Sequence, residues 1–461
     1  MRDLVVLLAI IGCALWALRQ PWVGVILWTN ISLMSPHVQF AYGLSSFPVA
    51  MIAALATLTG LLLTKERQNP FVGPPVWAFL AFAGWICVTL PFSLYLGESL
   101  PLWERSMKIF LMIFVTLALI DDRRKLNAFI WIIVASLAYY GVKGGAFTLA
   151  TAGNYRVWGP GGFIGGNNEI ALALVTTIPL MRYLQLQMTR RWQVAAMAVA
   201  MGLTAITVLG TYSRGAFVAI AAMSLVFWLK GRQKVLWGVA IIVLGALSLS
   251  FMPDQWWDRM DTMKTYEQDD SALGRINAWW NAWNLALDRP FGGGFMIYFP
   301  EVFARYAPDP ERVHAAHSIY FQLLGEHGFV GFFLFMLIGA LTWRTSTQLI
   351  KVANSDPAFR WAAELGAMVQ VSMVGFGAGG AFLSLAYFDL PYNLMVMAVL
   401  ALHIVRKQVE AAAASRSTSA PRHPLASTRA STLESSPPQA QPRPSVGRSM
   451  NPQNRPGHYS T

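Results

Sequence analysis

The chain has 461 residues, of which 55% are hydrophobic and only 13% charged, whereas a soluble domain carries about a quarter charged residues. The formal net charge is +12, but the basic residues gather at the ends of apolar runs and in the C-terminal tail, as in membrane proteins, so the charge is not a nucleic-acid signal. The only cysteines, Cys13 and Cys87, both lie inside apolar runs, which argues against a disulfide framework and against a cysteine-ligated zinc site.

Apolar runs of about 20 residues, the length that crosses a bilayer as a helix, recur along the chain. The expected spans are 4–18, 22–35, 45–64, 76–96, 106–120, 127–147, 168–186, 193–211, 215–230, 235–251, 318–342, 361–381 and 385–405. The first run lacks a small-residue cleavage site and reads as a retained helix. It and the second are short and could form a hairpin, so the expectation is 11 to 13 crossings. The predicted fold class is an all-α polytopic membrane protein.

Basic clusters at Lys65–Glu66–Arg67, Arg123–Arg124–Lys125, Arg190–Arg191, Lys230–Gly231–Arg232–Gln233–Lys234 and Arg406–Lys407 all fall on one side of these spans, which the positive-inside rule makes cytoplasmic. The opposite, outer side receives 97–105, 148–167, 211–215, 252–317 and 381–385. The tail from about Ala411 to Thr461 is rich in Ala, Ser, Pro and Arg. It has too little apolar surface to offset its ordering entropy, so a disordered cytoplasmic tail is expected, its arginines touching anionic lipid. The predicted organisation is N-terminal spans over 1–251, a large outer loop over 252–316, C-terminal spans over 317–410 and the tail.

The outer loop carries ten acidic and six basic residues. Within it, Asp270 or Ser271 can cap a helix on which Ile276, Trp279, Trp280, Trp283 and Leu287 recur at helical spacing, with Asn277, Asn281, Asn284 and Asp288 opposite. Tryptophans on one face suit a helix lying among lipid head groups, an anchoring role as readily as a chemical one. Pro290 ends it and Gly292–Gly293–Gly294 follow. Arg275 stands near the helix N-terminus, where the dipole already favours an anion. A cation placed there fits a facing phosphate. Arg214, in TYSRGAF, interrupts two apolar runs, and a guanidinium so close to the bilayer interior usually has a partner or a function, although it can also snorkel to the surface. Arg156 precedes a Gly-rich turn and Asn167–Asn168–Glu169, a stretch that matches neither a P-loop nor a dinucleotide fingerprint.

Three of the seven histidines fall in one window: His314, His317 and His327. Two histidines with Asp309, Glu311 or Glu326 make a metal site conceivable, since zinc needs three protein ligands. No HExxH and no Asp-x-Asp pair occurs in the outer loops, and no metal or other cofactor is expected. His317, at the head of a span and able to titrate near neutral pH, is suited to act as a general base on a hydroxyl. His327 reads as structural, in a Gly–Glu–His–Gly break within the helix. Arginines with one histidine suit a diphosphate leaving group, which needs positive charge as its bond breaks.

At these residues the chain resembles the O-antigen ligase and polysaccharide polymerase superfamily. The residues carrying the likeness are Ser213–Arg214–Gly215, Gly274–Arg275, Gly292–Gly293–Gly294–Phe295, and His317–Ser318 with Tyr320, Gln322, Gly325–Glu326 and Gly328. NYRVWGPGG, TYSRGAF, GRINAWWNAWNLALDRP and VHAAHSIYFQLLGEHGFVG are similar to segments of exosortase A-associated O-glycosylation ligases. The resemblance covers nearly the whole chain to about residue 410 and implies a GT-C-like architecture and a metal-independent, inverting glycosyltransferase in the bacterial inner membrane. Such an enzyme moves a glycan from undecaprenyl diphosphate to a protein or lipid acceptor at the periplasmic face. By the same resemblance Arg214 and Arg275 contact the donor diphosphate and His317 activates the acceptor hydroxyl. Arg156 and Asn168 are added by topology as donor or sugar contacts, and His314 and Glu326 as supporting residues. Ligases of this group often carry Asn after the motif histidine, where this chain has Ser318. The implied partners are the lipid-linked glycan, the acceptor, membrane lipid and components of a polysaccharide or exosortase assembly, and no nucleic acid. A repeat-unit polymerase, a lipid-linked sugar transporter and a non-catalytic assembly scaffold are the competing readings. A transporter would place ionisable residues near the midplane on broken helices, whereas most charges here cluster at the outer rim.

Overall fold

The computed structural model describes residues 1–230, 250, 252–254, 256–257 and 270–419, and no strand occurs among them. The expected span at 235–251 lies outside the described residues but for Ser250, as does the tail beyond 419. Met1–Ala412 form one compact unit and Ala413–Thr461 a second, in which the described residues, 413–419, are helical.

The helices in chain order are α1 (Arg2–Arg19), α2 (Pro21–Met34), α3 (Pro36–Phe40), α4 (Val49–Leu63), α5 (Pro74–Thr89), α6 (Leu96–Leu119), α7 (Arg123–Ala150), α8 (Asn167–Leu186), α9 (Arg191–Gly210), α10 (Arg214–Lys230), α11 (Asp270–Asp288), α12 (Pro300–Tyr306), α13 (Ile319–Ala353), α14 (Arg360–Gly380) and α15 (Asp389–Ser419). Local chemistry fixes several ends. Pro begins α2, α5 and α12, where its missing N–H costs nothing, and the Asp122 carboxylate accepts from the Lys125 N–H at 2.8 Å to cap α7.

By length and composition, five described helices can cross a membrane: Pro74–Phe92, Arg123–Ala150, Asn167–Leu186, Arg191–Gly210 and Ile319–Ala353. Shorter apolar helices α2, α4 and α10 stand beside them. The protein is thus an all-α polytopic membrane protein. Fewer described helices reach spanning length and apolarity than the 11 to 13 expected. One reason is visible in α6, whose first half carries Glu98, Glu104, Arg105 and Lys108. The centre of the bundle is α15. From Leu390 to Val405 almost every side chain is buried, as a helix apolar on all sides must be.

Two packing features position the outer end. Helices α7 and α9 approach closely because Gly141 and Gly144 face Thr204 and Thr207, the small-residue contact favoured between membrane helices. Helix α13 breaks at Gly328, whose φ is +67°. The break frees the carbonyls of Gly325, Glu326 and His327, and each finds an outside donor: Gly293 N–H at 2.9 Å, Gly294 N–H at 2.9 Å and the Trp85 indole at 2.9 Å. A side chain on Gly328 would stand 2.1 Å from the Pro290 carbonyl, and one on Gly292 would stand 2.5 Å from the Glu326 carbonyl. The triple glycine is therefore a backbone strap fitted to a broken helix, and with Trp85 it takes up three of the carbonyls at the break.

Candidate active site

Four segments distant in sequence meet at one small cavity of about 20 Å³, room for roughly one water. It is lined by Asn168 at the head of α8, Ser213 to Ala216 at the head of α10, Arg275 on α11, and Gly379, Phe382 and Leu383 at the end of α14. Two arginines, Arg214 and Arg275, thus line the same space.

Arg214 is the first residue of α10, and the turn before it is pinned from several sides. The Asn167 amide donates to the Thr211 carbonyl at 2.8 Å, Val157 N–H donates to the Gly210 carbonyl at 2.9 Å, and the Tyr212 hydroxyl donates to the Gly153 carbonyl at 2.5 Å. Ser213 Oγ accepts from the Ala216 N–H at 3.2 Å, an N-cap that explains why the chain turns helical at Arg214. Tyr212 takes a φ of +60°, uncommon for a bulky residue.

Arg275 lies in the second turn of α11, not the first, because the helix already includes Asp270. The dipole effect fades within the first turn, so what marks Arg275 is its place in the cavity. Helix α11 turns its asparagines inward. The Asn277 amide donates to the carbonyls of Asp309 at 2.8 Å and Arg312 at 3.0 Å, its Oδ1 accepts from Asp309 N–H at 2.9 Å, and Asn284 donates to the Tyr306 carbonyl at 2.8 Å. Trp279 departs from the expected tryptophan face. Its indole donates to the Ala316 carbonyl at 2.8 Å and its ring stacks on Phe321 with centroids 5.0 Å apart. The exposed stripe is Ile276, Trp280, Trp283 and Leu287, with Trp280 52% and Leu287 62% exposed.

The grip of α11 on the 307–316 segment sets His317, which holds a φ of +43°. Its ring lies 5.4 Å from that of His314, edge to face. Burial, then the charge of Arg275, then His314 push its pKa down to about 4. His317 is therefore neutral at physiological pH and within electrostatic reach of Arg275, although it is not among the residues lining the cavity. His314 packs against Gly274.

The remaining predicted residues are set apart. The Arg156 guanidinium lies outside the cavity lining, 5.4 Å from the centroid of the Tyr212 ring. It thus stands behind the turn that carries Arg214. Glu326 is 2% exposed and accepts the Tyr387 hydroxyl, within the helix-break region and not in the lining. His327 is buried, its Nδ1 2.8 Å from the Thr89 hydroxyl. Among the described residues no group of three or more His, Cys, Asp and Glu side chains is placed to hold a metal. Sequence reasoning missed Gly379, Phe382 and Leu383, because an apolar segment between two spans carries no chemical signal. It also missed Ser213 as a cap, which a serine before a helical run can reveal.

These features define a polytopic membrane protein with two arginines gathered at the ends of its helices beside a neutral histidine. Residues 196–336, which contain Arg214, Arg275 and His317, match the O-antigen ligase family. That match supports the O-antigen ligase and polysaccharide polymerase superfamily, and with it a membrane glycosyltransferase of the ligase or polymerase type. Residues 1–189, which contain Asn168 and Arg156, match a family of unknown function (DUF5935). No curated protein matches the chain.

Proposed function

We propose that the protein transfers a glycan from a polyprenyl diphosphate, undecaprenyl diphosphate in a bacterial inner membrane, to an acceptor hydroxyl of a protein or lipid at the periplasmic face. The observation that carries this reading is the meeting of Arg214 and Arg275 in one cavity with His317 under the influence of Arg275. Two guanidiniums can clamp a diphosphate bidentately and stabilise the charge that grows on it as the glycosidic bond breaks. His317 takes the proton from the attacking hydroxyl. Its low basicity in the free protein follows partly from Arg275, and a bound diphosphate would offset that charge and raise the basicity when the substrate is in place. Asn168 contributes an amide to the same cavity, suited to a sugar or phosphate oxygen. Arg156 acts through Tyr212 as a positioning residue for the Arg214 turn.

The test is the glycan profile of a deletion strain carrying wild type or His317→Ala. Full-length glycan stranded on the lipid carrier supports a ligase, and single repeat units stranded there support a polymerase. Normal glycans with the variant would remove His317 as the base and return the transporter and scaffold readings. In a purified assay Arg275→Ala weakens use of the donor by about tenfold or more, the worth of a charge-assisted phosphate contact. Transfer is unchanged by chelator, because the proposed chemistry draws on Arg214, Arg275 and His317 and calls on no metal. Activity lost in chelator and restored by a divalent ion would overturn the metal-free mechanism.

A further inference from the structure

A second cavity, of about 270 Å³, opens between α2, α6 and the 161–164 turn. Its floor is apolar, formed by Trp28 and Ile31 from α2 and Ile109 from α6, with Ala50 of α4 at the side. Arg105, Lys108, Ser32, Ser35 and His37 also line it, and among the described residues no carboxylate does. The lining thus combines apolar side chains with two cations.

The cationic part is built. The Arg105 guanidinium carbon stands 3.7 Å from the centroid of the Phe163 ring, a cation–π contact that holds it in place. A side chain at Gly162 would press on the same guanidinium at 3.2 Å, so the backbone there keeps it accessible. Lys108 pairs with Glu104 at 2.5 Å on an exposed surface. Such a pair is worth little, and an arriving anion can replace it. The Ser32 hydroxyl donates to Asp389 Oδ2 at 2.7 Å. Asp389 attracts Arg105 without reaching the lining. His37 Nδ1 is buried with no partner.

This cavity and the arginine cavity draw different lining residues from two common segments. The segment leading into α8 lends Gly161 to Ile164 to one and Asn168 to the other, and the segment between α14 and α15 lends Phe388 to one and Phe382 and Leu383 to the other.

We propose that this second cavity binds an anionic amphiphile, a phosphate-headed lipid whose chain lies on Trp28, Ile31 and Ile109 and whose head group sits between Arg105 and Lys108. The lipid is either a resident of the bilayer or the acceptor of the transfer. The binding claim stands apart from the roles given to Arg214, Arg275 and His317.

The experiment is native mass spectrometry of the full-length protein in neutral maltoside detergent, titrated with dodecyl phosphate and, separately, with inorganic phosphate. One dodecyl phosphate should bind saturably, and inorganic phosphate should compete poorly. Arg105→Gln should weaken binding by about tenfold or more, the worth of a charge-assisted contact, and Lys108→Gln by a smaller factor. In an Arg275→Gln background, which weakens phosphate binding at the proposed donor site, saturable binding should persist and Arg105→Gln should still weaken it, which separates the two sites. Should Arg105→Gln fail to fold, Lys108→Gln, at an exposed position, carries the test. Absence of saturable binding, equal binding by both variants, or inorganic phosphate binding as well as the amphiphile would each overturn the proposal. With a lipid acceptor, a rise in acceptor KM on adding dodecyl phosphate assigns the site to the acceptor, and an unchanged KM assigns it to a resident lipid.

Discussion

Left-handed backbone at Gly328 and at the pair Tyr212 and His317 is built in opposite ways. At Gly328 the left-handed residue is a glycine, and the carbonyls freed at Gly325, Glu326 and His327 are all taken by Gly293, Gly294 and Trp85. Little strain remains, and the break serves as architecture. At Tyr212 and His317 the left-handed φ, +60° and +43°, falls on residues with large side chains, a conformation that costs on the order of 1–3 kcal/mol each and persists only when the surroundings impose it. The surroundings do: the Tyr212 hydroxyl is anchored to Gly153, and Ala316, next to His317, is held by Trp279. Of the four described non-glycine residues with left-handed φ, Tyr212 and His317 thus stand beside Arg214 and at the proposed base, while Ser35 and Ala152 lie at helix ends elsewhere.

The largest expected effect tests the strained side of this comparison. His317→Ala should lower transfer by about 10²- to 10⁴-fold, the usual loss with a general base. His317→Gly should lose transfer as fully yet raise thermal stability above that of the alanine variant, because glycine takes a positive φ without penalty. Equal stability of the two variants would mean that the backbone at His317 is not strained.

On the scaffold side, Gly328→Ala sets a methyl 2.1 Å from the Pro290 carbonyl at a left-handed position. The expected loss is about 3 kcal/mol or more, from steric clash and broken strap bonds together. The measurement is thermal unfolding in detergent. A near-neutral result would show that the strap and the helix break are not a fitted pair.

A subtler distinction comes from pH. The folded His317 titrates at about 4, against an ordinary value of 6.5. The fold therefore favours the neutral ring. Its contribution to stability is complete above pH 6.5 and is lost as pH falls toward 4, where the unfolded chain takes up a proton that the folded one refuses. Wild type should lose more stability over that window than His317→Gln, as read from unfolding midpoints at a series of pH values. The kcat/KM of the free protein should fall on an acid limb near 4. An acid limb near 6.5 would mean that His317 is solvated and distant from Arg275.

Composition and the recurrence of apolar runs were enough to read the fold class, because a bilayer admits only helices and closed barrels and runs of about 20 apolar residues fit the helix. The Gly–Glu–His–Gly break in the helix and the helix carrying Arg275 were legible too, from glycine placement and spacing. The inward turn of the asparagines and of Trp279 was not. Periodicity groups residues by face, but which face is covered depends on a partner segment, here 306–316, that offers its carbonyls to α11. The meeting of Arg275 with Arg214 was inaccessible for a related reason. The two lie on separate helices joined by a long segment, and only tertiary packing brings them to one cavity. Arg105 escaped notice because it reads as one more charge at a helix end, and its stacking on Phe163 is invisible in sequence.

The smallest expected effect asks how the strained histidine is held. Trp279→Phe keeps the stack on Phe321 but removes the indole donor to the Ala316 carbonyl. One hydrogen bond is worth about 1 kcal/mol net, so the unfolding midpoint should shift slightly. If that bond fixes the backbone at His317, the kcat for transfer should fall several-fold while the donor KM stays near its wild-type value, since Arg214 and Arg275 are untouched. A matching fall in donor affinity would mean instead that Trp279 supports α11 as a whole, and that the strain at His317 is imposed from the α13 side, through Ser318 and the first turn of that helix.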